Sequence, residues 1–130
     1  MQTFALPASA WITLLALTTY VWTIIKVSKA RVKYSVKAPS MDGPLEFLSA
    51  QRVQTNTVEQ MIVFLPAMWL CAFIWNDKAA AAGGVIWVIG RIMYALAYYN
   101  DPKKRTPGFA VSTLATLGLM LACAVGLVLH

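Results

Sequence analysis

The stretch Gln51-Arg52-Val53-Gln54-Thr55-Asn56-Thr57-Val58-Glu59-Gln60 runs without a break into the apolar segment Met61 to Trp75, and its reading decides the fold. Arg52, Asn56 and Glu59 recur at i, i+4 and i+7, and at roughly 100° per residue they share one helical face. The apolar segment alone is shorter than the ~20 residues a helix needs to cross ~30 Å of hydrocarbon. The helix must therefore begin upstream and carry its polar face to the membrane edge. A charge at the bilayer centre costs ~2.5–3.5 kcal/mol on insertion scales, so a polar stripe entering the bilayer has to be compensated. Pro44 suits a first helical turn after Asp42 and Gly43, and nothing from Leu45 to Leu65 breaks a helix. The expected helix reaches Trp75, about 45 Å in all, with a kink at Pro66.

Working outward, three further stretches are apolar enough to span: Ala8 to Ile25, Ala79 to Tyr99 and Phe109 to Leu129. Of the 130 residues 59% are hydrophobic and 12% charged, with a mean hydropathy of +0.63, which excludes an ordinary soluble domain. The expectation is an all-α, transmembrane four-helix bundle forming one domain over residues 1–130. Met1 to Ala10 lacks a positive n-region, so the first segment is read as a retained helix rather than a cleaved signal. Cys71 and Cys123 lie within apolar spans and read as small buried hydrophobes. Gly118, Ala122 and Gly126 form a small-residue row suited to helix packing, within one chain or between copies.

The net charge of +6 is distributed as a topology signal rather than as a nucleic-acid surface. Lys26, Lys29, Arg31, Lys33 and Lys37 follow the first span, Arg52 precedes the second, and Lys103, Lys104 and Arg105 lie between the third and fourth. The 2–3 connection carries only Lys78. With four spans the positive-inside rule places the 1–2 and 3–4 loops in the cytoplasm, in a bacterial inner membrane or the endoplasmic reticulum, with both termini outside. The lysines are accounted for by anchoring and attraction to anionic lipid.

The third span has its own polar face, Arg91, Tyr94 and Tyr98. A buried arginine requires a carboxylate or several acceptors, and Glu59 and Asp42 are among the few acids on offer. The cytoplasmic end of the bundle thus gathers guanidinium groups of Arg31, Arg52 and Arg105, amides of Gln54 and Asn56, phenols of Tyr94 and Tyr98 and the carboxylate of Glu59. That set suits a small anion with several carboxylates and one ammonium group. No metal-ligand set is present, since His130 is the only histidine; nor is there a Ser-His-Asp or Cys-His arrangement or a phosphate-binding glycine pattern.

These residues carry a resemblance. The segment Gln51 to Glu59, Gly43-Pro44-Leu45-Glu46-Phe47 before it, the basic run ending the first span, Arg91-Ile92-Met93-Tyr94 with Tyr98, and Arg105 together resemble the membrane-associated family of eicosanoid and glutathione metabolism (MAPEG), in particular its microsomal glutathione transferases. The resemblance extends over nearly the whole chain. It implies a homotrimer of four-helix protomers that binds glutathione as co-substrate at each subunit interface. By matching positions, Arg31, Arg52, Gln54, Asn56, Glu59, Arg91, Tyr94 and Tyr98 would hold the peptide, Glu59 taking its ammonium group, and Arg105 would stabilise the thiolate. The implied reaction conjugates glutathione to an apolar electrophile arriving from the lipid phase, a detoxifying transferase, with lipid hydroperoxide reduction as a second activity. Gln60 departs from the tyrosine of leukotriene-type members, which favours general conjugation over a lipid-mediator synthase. The rivals are a small four-helix multidrug transporter, whose coupling glutamate belongs in a first span that here contains no acid, and a catalytically inactive homologue of the same fold.

Overall fold

The structure, a computed structural model, describes residues 3–130. Its long helices are α1 (Pro7–Tyr34), α2 (Leu45–Ile74), α3 (Asp77–Asn100) and α4 (Thr106–Leu129), with a single 3-10 turn at Pro102–Lys104 between the last two. No strand occurs among the described residues, and each long helix is long and apolar enough to cross a bilayer. The chain is an integral, multi-pass membrane protein with an all-α, four-helix transmembrane fold.

α2 starts directly after Pro44 and runs through the polar stripe as expected, and Pro66 is accommodated inside it as continuous helix. α1 is longer than its apolar run, because the basic segment after Ile25 is rich in good helix formers and continues to Tyr34. It stops at Ser35, which adopts the left-handed conformation (φ 55°), and the Val36 amide donates to the Arg31 carbonyl at 3.0 Å.

At the opposite end the α2–α3 turn is tied into the bundle. The Asn76 side chain accepts from the Ala79 amide at 2.8 Å and caps α3. The Asp77 carboxylate reaches across to α1 and accepts from the Ala8 and Ser9 amides, each at 2.8 Å. The first turn of α1 has no capping side chain of its own, so α3 supplies one.

α3 packs on all three other helices, most extensively on α4. Gly90 and Gly108 allow this close approach: a Cβ on Gly90 would lie 2.7 Å from the Ser112 amide nitrogen, and one on Gly108 would collide with the Tyr94 backbone. Phe64 of α2 stacks on Trp87 of α3 with centroids 4.1 Å apart, both fully buried. Trp11, Leu14, Ile62, Phe73, Leu114 and Leu121 point outward, as a lipid-facing surface requires. The small-residue row in α4 is divided in use. Gly126 packs on Ile74 and Trp75, and the Ala122 carbonyl accepts from the Trp75 indole at 2.8 Å, whereas Gly118 has no neighbour among the described residues at the position of a side chain. Cys71 and Cys123 are buried and unbridged.

Candidate functional site

Between α2, α3 and α4, at the end that carries the two polar loops, lies a cleft of about 380 Å³. Arg52 and Asn56 line it from α2, Tyr94 and Tyr98 from α3, and Arg105, Thr106 and Phe109 from the start of α4. One turn separates Arg52 from Asn56, so the stripe read in the sequence forms one wall. Glu59 joins through an ion pair, its Oε1 lying 3.3 Å from Arg52 Nη1 with both side chains about half exposed. Tyr94 and Tyr98 meet edge to face at 5.5 Å, and the Arg105 guanidinium stands 5.8 Å from the Tyr98 ring.

Arg105 is positioned by the short turn before it. Pro102 prevents α3 from continuing, Asp101 caps the 3-10 turn by accepting from the Lys103 amide at 3.1 Å, and the Pro102 carbonyl accepts from Arg105 Nη1 at 2.8 Å. That bond uses one donor and leaves the rest of the guanidinium free to meet an anion in the cleft. Lys103 and Lys104 on the same turn are exposed and do not line it.

Arg91 stands behind the wall rather than in it. It is 1% exposed, and among the described residues no acid pairs with it: Nη2 donates to Asn56 Oδ1 at 2.8 Å and Thr57 Oγ1 at 3.0 Å, Nη1 to Ser112 Oγ at 3.4 Å, and the guanidinium lies 4.2 Å over the Tyr94 ring. The expected carboxylate partner, Glu59 or Asp42, is thus replaced by neutral acceptors and an aromatic face. The physical reason is that Glu59 projects to the outer side of the stripe, where Arg52 takes it, while Asn56 and Thr57 turn inward. Because arginine only donates, the Asn56 oxygen must face Arg91, and its NH₂ group is the part left for the cleft. Asn56 therefore offers a donor, not an acceptor.

Two expected site residues lie elsewhere in the protomer. Gln54, half a turn from both Arg52 and Asn56, faces α1 and donates to the Tyr20 hydroxyl at 2.7 Å. Arg31 folds over the 1–2 loop, donating to the carbonyls of Ser40 at 2.8 Å and Val36 at 3.4 Å and lying 5.1 Å from the Phe47 ring. The expectation that all the polar groups share one pocket is corrected for a single chain: Arg31, Gln54 and Glu59 do not line the Arg52–Arg105 cleft, and Arg91 lies behind its wall. Sequence reasoning also missed Thr106 and Phe109, which line the cleft, and Thr57 and Ser112, which hold Arg91. Thr57 was recoverable from its place beside Asn56. Ser112 depends on the Gly90–Gly108 helix approach and had no local signal.

A transmembrane four-helix bundle whose loop end opens a cationic, aromatic-walled cleft defines a narrow class of membrane protein. The chain belongs to the MAPEG family, whose profile matches residues 8–125. It is 42% identical over 112 residues to an uncharacterized protein of Synechocystis, covering 86% of this chain and 82% of that one. It is 34% identical over 103 residues to microsomal glutathione S-transferase 2 of Homo sapiens (79% and 70% covered), and 29% identical over 121 residues to leukotriene C4 synthase of Bos taurus (93% and 81% covered).

Proposed function

We propose that this protein is a membrane-bound glutathione transferase that uses the Arg52–Arg105 cleft to hold glutathione and ionise its thiol. The observation that carries the proposal is the pairing of two unsaturated guanidinium groups with the inward-held amide of Asn56 in one cleft open at the membrane edge. A thiol of pKa about 8.5 is mostly protonated at neutral pH, and each unit of lowering needs ~1.4 kcal/mol of preferential stabilisation of the anion. A charge-assisted hydrogen bond of about 1.5–3 kcal/mol from Arg105 supplies one to two units. Arg52 and the Asn56 NH₂ group take the peptide's carboxylate and carbonyl oxygens, and Glu59 takes its ammonium group. The thiol proton passes to water. The thiolate then attacks an electrophilic carbon, forming a C–S bond while halide leaves, or adds to an activated double bond whose adjacent carbon takes up a proton. Phe109 gives the cleft an apolar wall against which a lipid-borne electrophile can lie. Reduction of lipid hydroperoxides by the same thiolate is a second activity of this reading.

The proposed assembly is a homotrimer with sites shared between copies. Support comes from Arg52 and Glu59, charged and half exposed on the outside of the protomer; Arg31 and Gln54, which the family resemblance assigns to the ligand and which do not line this cleft, would come from a neighbouring copy. The proposed orientation puts the 1–2 and 3–4 loops in the cytoplasm. An ultraviolet difference spectrum on adding glutathione tests the central claim: a thiolate band, followed by turnover with a generic aromatic halide, is expected. Binding without a thiolate band would make the protein a glutathione-binding homologue without catalysis.

A further inference from the structure

The lysines after the first span take no part in the cleft, yet three of them form a site of their own. Lys26, Lys29 and Lys33 stand at i, i+3 and i+7 on one face of α1 and line a second cleft, of about 300 Å³, together with Glu46 of α2 and Tyr99 of α3. Three lysines and one glutamate line it, and Glu46 makes no ion pair among the described residues. Lys26 Nζ lies 5.3 Å over the Tyr99 ring and 6.0 Å from that of Trp22. Lys26 directly follows the apolar run of α1, and Tyr99 ends that of α3, so the cleft opens where hydrocarbon gives way to headgroups.

A second observation lies deeper along the same two helices. Thr18, Thr19 and Trp22 of α1 and Ile92 and Leu96 of α3 line an almost wholly apolar groove of about 260 Å³. Trp22 and Leu96 are about one turn, ~5–6 Å, below Lys26 and Tyr99, and the Trp22 and Tyr99 rings meet edge to face at 5.8 Å across the seam. A cationic cleft at headgroup level and an apolar groove at acyl-chain depth thus follow one another along the same two helices, with the Trp22–Tyr99 ring contact between them.

We propose that the α1–α3 seam binds one anionic phospholipid per protomer, its phosphate held by Lys26, Lys29 and Lys33, and one acyl chain in the Trp22–Leu96 groove. A free phosphate gains nothing from the groove. A choline lipid brings its own cation into a cleft that already has an excess of positive charge. The inference is independent of the glutathione reading, because the two clefts share no lining residue.

Native mass spectrometry of the detergent-purified protein, given dioleoylphosphatidylglycerol and dioleoylphosphatidylcholine in equal amounts, tests it. Selective retention of phosphatidylglycerol is expected. Each lysine near an anionic surface is worth roughly fivefold, so replacing Lys26, Lys29 and Lys33 together by Gln should weaken retention on the order of a hundredfold. Lys29→Gln alone, the variant to use if the triple one does not fold, should weaken it roughly fivefold. Leu96→Trp, which fills the groove, should also lower retention, and Lys103→Gln with Lys104→Gln should leave it unchanged. Equal retention of phosphatidylcholine, or an equal loss in the Lys103/Lys104 variant, would overturn the proposal. So would displacement of the lipid by inorganic phosphate, which marks a simple anion site, or a disulfide between copies in Leu96→Cys, which marks a seam covered by a second chain.

Discussion

The same three helices, α2, α3 and α4, enclose a cavity at each end of the bundle, and the two could hardly differ more in chemistry. At the loop end the cleft of about 380 Å³ is walled by Arg52, Asn56, Tyr94, Tyr98 and Arg105. At the other end a groove of about 480 Å³ is lined by Cys71, Trp75, Gly83, Leu114, Gly118 and others, almost all apolar. The far end does have polar groups, but they are consumed in holding helices together: Asn76 caps its own helix, Asp77 caps α1, and the Trp75 indole bonds to the Ala122 carbonyl. At the loop end, by contrast, Arg91 donates to Asn56, Thr57 and Ser112, while Arg52 and Arg105 each use one donor within the fold and keep the others, and the Asn56 NH₂ group is left to the cleft. Four-helix packing supplies space at both ends, and function resides where the polar groups are not used up by the fold.

The sharpest way to break this comparison is to remove Arg105. If the loop end is catalytic, Arg105→Ala should lose the thiolate band and cut turnover by ~10²–10³-fold, the usual cost of deleting one donor to a developing anion. Glutathione affinity should fall only modestly, because the interaction strengthens as the thiol ionises. Lys104→Ala, on the same turn but exposed, should leave both unchanged. Equal losses in the two variants would reduce Arg105 to general positive potential.

The next effect concerns Asn56, whose orientation follows from Arg91 being unable to accept. Asn56→Asp should keep or raise thermal stability, since the new carboxylate pairs with Arg91. It should weaken glutathione binding by roughly 10- to 100-fold, since a donor toward the ligand becomes an acceptor and a hydrogen bond to a charged group is worth about 1.5–3 kcal/mol. Tighter binding, measured by calorimetry, would mean that Asn56 meets the ammonium group instead. Glu59→Gln should have a smaller effect, a several-fold weakening with assembly intact, on the order of 1 kcal/mol for a half-exposed charged contact. Unchanged affinity would leave Glu59 as a partner of Arg52 alone.

How much of this was legible beforehand differs between fold and site for a physical reason. The four helices follow from hydropathy and breakers, which are local, and even the early start of α2 could be read from Pro44 and the short apolar run. The stripe Arg52–Asn56–Glu59 was legible because helical periodicity is local too. What each polar group bonds to depends on helix rotation and approach. Charge alone points Arg91 to a carboxylate, whereas the Gly90–Gly108 contact brings Ser112 to it and the rotation of α2 brings Asn56 and Thr57. Gln54 sits two residues from both Arg52 and Asn56, yet lies across the helix from them, bonded to Tyr20.

The last test works at the quiet end of the molecule, where no effect on function is expected. Asp77 accepts two amide hydrogen bonds from the first turn of α1 at 2.8 Å, and α1 has no capping side chain of its own. Asp77→Ala should therefore lower the melting temperature in detergent, with Asp77→Asn between it and wild type because the amide retains one accepting oxygen and loses the charge that favours a helix N-terminus. Glutathione affinity and turnover at a temperature where both variants are folded should equal those of wild type, because within a protomer the cleft draws on α2, α3 and α4, and Arg31, the α1 residue that the proposed trimer supplies from a neighbouring copy, lies at the opposite end of α1 from the turn that Asp77 caps. A parallel fall in affinity would show that the position of α1 is transmitted to the cleft. The route would then be α1 to α2 through Tyr20 and Gln54, whose 2.7 Å bond joins those helices near the polar stripe, and Tyr20→Phe should reproduce the loss. Unchanged binding in both variants would separate the structural polar groups from the functional ones at opposite ends of the same bundle.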